Sequence, residues 1–115
     1  MRSIAVSANA RTEGQRRATG RYPVATDVFY QLGTEARRLG EGCGRSVNIS
    51  SSGILIATET GLPVGVAIAL QIAWPAKLNQ FVALNLHIEG RTVRSSGNHA
   101  AVVIIRYEFR TRRQV

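Results

Sequence analysis

The chain has 115 residues, 44% hydrophobic and 19% charged, the balance of one small globular domain whose core needs no disulfide or metal to hold it. Fifteen Lys plus Arg against seven Asp plus Glu give a net charge of +8, and fourteen of the fifteen cations are arginine, whose planar fork suits phosphate and guanine edges better than a lysine does. The lone Cys43 excludes an internal disulfide, and His87 and His99 lack Glu or Cys partners at ligand spacing, so neither a metal centre nor a catalytic triad or acid pair emerges. An enzyme is the weakest reading. No run reaches the length of a membrane-spanning helix and no secretory apolar region opens the chain, so no membrane insertion and a reducing, cytoplasmic setting are expected.

In chain order, residues 1–15 mix small, polar and charged residues without a period and read as a flexible leader, leaving 16–115 as a single domain. Arg16, Arg17 and Arg21 form a basic segment that ends at Tyr22-Pro23. Proline biases the residue before it towards extended backbone, so the segment is a lead-in to a strand and not a helix face. Tyr22, Val24, Thr26, Val28, Tyr30 and Leu32 keep one phase and predict a half-buried strand. Gly33 to Arg45 carries four glycines and predicts a long hairpin connection, with Arg37 and Arg38 solvated and Cys43 a free loop thiol.

Strand character returns over Ser46 to Thr58, broken by a turn or bulge at Ser50 to Gly53. Leu62-Pro63-Val64-Gly65 predicts a turn, and Val66, Ile68, Leu70, Ile72 and Trp74 then line one face of a strand. Phe81 to Ser95 alternates through Val82, Leu84, Leu86 and Ile88, but Val93 falls out of phase. A bulge at Gly90 would turn it back inward. Ser96-Gly97-Asn98 predicts a hairpin turn into a last strand, His99 to Arg110, apolar on both faces as far as Ile105 and so expected to be covered on both sides there. The sum is an all-β, six-stranded antiparallel barrel with no substantial C-terminal helix.

Two stretches carry chemistry. Arg16, Arg17 and Arg21 can grip phosphate oxygens or the O6/N7 edge of guanine through two hydrogen bonds each. Asn48 can donate and accept, Ser50 can bond phosphate or hold its own loop, and Gly53 leaves room for a ring to approach closely. Turn chemistry alone would also account for Asn48, Ser50 and Gly53, and a solvated basic leader for the arginines. Their pairing favours binding.

Arg16-Arg17-Ala18-Thr19-Gly20-Arg21 and Asn48-Ile49-Ser50-Ser51-Ser52-Gly53 together resemble the RRxxxR and (D/N)xSxxG signatures of the PilZ domain family, over about Arg16 to Arg110. The resemblance implies a bacterial cytoplasmic receptor for cyclic di-GMP that uses Arg16, Arg17, Arg21, Asn48, Ser50 and Gly53, without catalysis, and relays binding to a downstream protein partner. It further implies that the arginine leader closes over the ligand, and that Arg16 suits an intercalated pair of ligand molecules. Many family members end in a helix packed on the barrel, whereas only Thr111 to Val115 follows the last strand here. A homodimer is left open. The alternatives are a PilZ-like interaction module without ligand, and a basic barrel binding single-stranded nucleic acid. The second is disfavoured by seven aromatics that mostly alternate inward, Trp74, Phe81, Tyr107 and Phe109 reading as core and Tyr22 and Tyr30 as structural.

Overall fold

The computed structural model describes residues 21–78 and 82–111, and all their regular structure is strand. The strands are β1 (Tyr22–Pro23), β2 (Asp27–Gly33), β3 (Arg38–Ile49), β4 (Gly53–Thr58), β5 (Ala67–Leu78), β6 (Val82–Ser96) and β7 (His99–Thr111). Every pairing is antiparallel. Strand order is β1-β3-β2-β5-β6-β7-β4, and β4 also pairs with β3, so six strands form a ring of hydrogen bonds. The seventh, β1, is a two-residue addition to the end of β3. The expected leader and Phe81 lie outside the described residues.

Alternation decides what fills the ring. Val28, Tyr30 and Leu32 of β2, Ile54 and Ile56 of β4, Ile68, Leu70 and Ile72 of β5, Leu86 and Ile88 of β6, and Ala100 and Val102 of β7 are buried at every second position. Trp74 and Phe109 pack against this core from one end, ring to ring at 5.1 Å in an edge-to-face contact. Thr92 is a fully buried polar residue. Its Oγ1 donates to the Pro63 carbonyl at 2.7 Å and accepts from the Val66 N–H at 3.1 Å, so it ties the β4–β5 connection to β6.

Several expectations are corrected. The first strand is not continuous: after Pro23 the chain steps aside and resumes at Asp27. Ser46 holds this step, because its Oγ accepts from the Thr26 N–H at 3.0 Å and donates to the Val24 carbonyl. The stretch Gly33 to Arg45 is no long connection. A tight turn at Thr34 to Arg37 leads into twelve-residue β3, which places Cys43 exposed on a strand opposite Phe29.

The glycines there belong to the pairing. Gly40, Gly42 and Gly44 sit opposite Leu32, Tyr30 and Val28, so each bulky inward side chain faces a position without one. A Cβ on Gly42 would lie 2.5 Å from the Tyr30 hydroxyl, and one on Gly44 would lie 2.3 Å from the Ala57 carbonyl oxygen. Glycine in a strand signals close approach here, not a loop.

The shift expected at Gly90 exists, but the extra residue is Ile105 on β7, since Glu89 pairs with Arg106 and Gly90 with Ile104. Val93 does not turn inward. It is itself the extra residue of a second bulge, between Thr92 and Arg94, and is exposed. Pro75 falls inside a third irregularity, between Trp74 and Lys77, where a ladder can spare an N–H. The first half of β7 is covered on one face only: Val103 and Ile105 face outward and are exposed. Tyr107, expected in the core, is 44% exposed, and Tyr22 is exposed too.

Candidate functional site

Arg21 and the turn at Ser50 to Gly53 meet on the outside of the ring, and local chain geometry explains how. Pro23 pairs with Asn48 and Tyr22 with Ile49, which fixes the backbone just after Arg21 alongside the end of β3. From there the Arg21 side chain reaches Asn48, and its Nη1 donates to Asn48 Oδ1 at 2.7 Å across 27 residues of sequence. Asn48 points outward because of a bulge. Ser46 faces Ile56 but Asn48 faces Leu55, so Val47 is the extra residue that sets the phase.

Gly53 lies beneath the guanidinium. An added Cβ would sit 3.6 Å from Arg21 Nη2 and 3.1 Å from the Val102 carbonyl oxygen. Gly53 is buried although it belongs to the outward phase of β4, between inward Ile54 and the partner residue Val103. Its missing side chain therefore leaves a shallow seat roofed by an arginine.

Ser50 is spent on the turn. Its Oγ accepts from the Gly53 N–H at 3.2 Å and the Ser52 N–H at 3.3 Å, and the backbone closes with Ser50 N–H to the Gly53 carbonyl at 2.8 Å. Of the two roles open to it, holding the loop is the one in place. The turn is further pinned by the Ile104 N–H donating to the Ser52 carbonyl at 2.9 Å, which couples it to β7. Arg21, Asn48, Ser50 and Gly53 are thus gathered in one place, while Arg16 and Arg17 lie outside the described residues. Arg37 and Arg38 are exposed at the β2–β3 turn, and Arg45 is bound to Asp27 at 2.8 Å.

Sequence reasoning missed Ser46. Ser46 orients the lead-in, and the only signal for it was a serine on the inward phase of β3.

A hollow lies elsewhere on the surface. About 280 Å³ in volume, it is lined by His87, Glu89, Arg106, Tyr107, Glu108 and Arg110, further along β6 and β7. Its charges are already paired, Arg106 with Glu89 at 2.7 Å and Arg110 with Glu108. Burial, and then the Arg110 charge, push the His87 pKa below its ordinary value, against an opposing pull from Glu108. No cluster of His, Cys, Asp or Glu able to hold a metal occurs among the described residues. Nor is any helix there long and apolar enough to cross a membrane.

Comparison with family models, with characterised proteins and with solved structures found no match.

Proposed function

We propose that the chain is a PilZ-type β-barrel and a receptor module for cyclic di-GMP, binding it on the outer wall at Arg21, Asn48 and Gly53 with Arg16 and Arg17 completing the clamp. The observation that carries this reading is the 2.7 Å bond from Arg21 to Asn48, which unites two distant motifs over a side-chain-free seat. Guanidinium donors above such a seat suit a purine edge or a phosphodiester, each charge-assisted bond contributing about 1.5–3 kcal/mol. In this reading Asn48 holds Arg21 poised, and ligand replaces or extends that bond. Ser50 keeps the turn rigid, and the leader orders over the bound dinucleotide. The module performs no chemistry. Its output is the altered lead-in, read by a downstream partner.

Titration calorimetry with cyclic di-GMP, GTP and linear pGpG tests it. Cyclic di-GMP should bind at least tenfold more tightly than the other two, and Arg17→Ala, Arg21→Ala and Asn48→Ala should each abolish or strongly weaken binding with melting temperatures nearly unchanged. Two ligands per chain, or a dimer sharing ligands, is expected if Arg16 supports an intercalated pair. A native chain that ignores cyclic di-GMP, or variants that titrate like it, would overturn the proposal.

A further inference from the structure

Several strands of the ring, β3, β5 and β7 among them, have a second neighbour over only part of their length, and in β7 it is the first half. β4 covers His99 to Val103, and the last bond across that seam is Ile104 N–H to the Ser52 carbonyl. From Ile105 to Thr111, β7 pairs only with β6 among the described residues, so its other edge is open. Such an edge is a template for another strand. Two apolar side chains stand on it, Ile105 at 65% and Tyr107 at 44% exposure.

We propose that this edge pairs antiparallel with the same edge of a second copy of the chain, with the two-fold axis at Tyr107. The order of charges selects both occupant and register. A two-fold axis normal to a sheet keeps each side chain on its own face, so the axis must pass through a residue. Centred on Glu108, the pairing sets Glu108 against Glu108 and Arg106 against Arg110. Centred on Arg106, it sets Arg106 against itself. Centred on Tyr107, Arg106 faces Glu108 of the second copy twice over. Opposite charges directly across a ladder attract and like charges repel, so of these three registers the one centred on Tyr107 is self-complementary. Centring on Phe109 would also set Glu108 against Arg110, but would put on the axis a ring already packed against Trp74 and the core. The pairing centres on Arg106 to Glu108, beyond the bulge at Ile105. The side chains involved are exposed, with Arg106 at 74% and Glu108 at 51%, so each is accessible to a neighbour.

Sedimentation equilibrium of the full chain over a concentration series is the experiment. A reversible dimer is expected. Glu108→Arg turns both facing pairs into Arg against Arg, and Arg106→Glu turns both into Glu against Glu; each should raise the dimer dissociation constant at least about tenfold. Mixing the two variants makes every facing pair opposite in sign and should restore a one-to-one dimer. A second measurement does not depend on these charges. In a Cys43→Ser background, Tyr107→Cys places two thiols directly opposite, at a Cα separation of about 4.5–5.5 Å that a disulfide spans, so oxidation should yield a covalent dimer. Arg91→Cys in the same background should not. A native chain that stays monomeric, a dimer indifferent to both charge variants, or crosslinking equal at 91 and 107 would overturn the proposal.

Discussion

Adding one carbon to either of two glycines should separate the fold from the site. At Gly90 a Cβ would lie 2.2 Å from the Val103 carbonyl oxygen and 2.9 Å from Val102 Cγ1. The first obstacle is backbone of the neighbouring strand, which cannot rotate away. Overpacking of this kind costs about 1–3 kcal/mol, and the lower chain entropy of alanine offsets about 0.5–1 kcal/mol of it. A net loss of about 1 kcal/mol for Gly90→Ala corresponds to a melting temperature lower by about 4–8 °C in a small domain. At Gly53 the same Cβ would meet only the Val102 oxygen at 3.1 Å, which a shift of a few tenths of an ångström relieves. Gly53→Ala should therefore melt within about 4 °C of the native chain. Gly53→Leu, which fills the seat under Arg21, should weaken cyclic di-GMP at least about tenfold. Thermal melts by circular dichroism, paired with ligand titration, measure both effects. If Gly90→Ala were as stable as native, or Gly53→Ala the less stable of the two, the close contact between β6 and β7 would not be as described.

Thr92→Val keeps the shape of a fully buried residue but leaves the Val66 N–H and the Pro63 carbonyl without their hydroxyl partner, at a cost of about 2–4 kcal/mol that urea unfolding should register. His87 has a folded pKa below its unfolded value, so the unfolded chain binds the extra proton first. Its contribution to stability is full above the unfolded pKa and is lost as pH falls from there through the folded pKa. Melting temperature should decline on acidification below about pH 6.5, and His87→Gln should flatten that part of the curve. A slope unchanged in His87→Gln would assign the effect to other groups.

Much of the fold was legible because alternation and burial agree. Val28, Tyr30 and Leu32, and Ile68, Leu70 and Ile72, announce their strands in the chain itself. The errors have a common physical source, which is that pairing across the sheet is invisible in one strand alone. Gly40, Gly42 and Gly44 look like turn residues until Leu32, Tyr30 and Val28 are set opposite them. Val93 and Ile105 look like core until register shifts leave each without a facing partner. At the site, Arg21, Asn48 and Gly53 could be singled out from sequence, but their contact depends on the two-residue β1 and on the bulge at Val47, neither of which has a signal of its own.

The closed ring has a consequence for how the molecule assembles. β2 to β4 form one meander of sequence neighbours, with β1 added to the end of β3, and β5 to β7 form another; they meet along two seams, β2 with β5 and β4 with β7. The hairpins can zip early because their loops are short, whereas each seam must bring together segments dozens of residues apart. One seam turns two half-sheets into an open blanket, and the second rolls it shut. The turn that carries Ser50 and Gly53 abuts the β4–β7 seam, so the seat beneath Arg21 is complete only once that seam has formed.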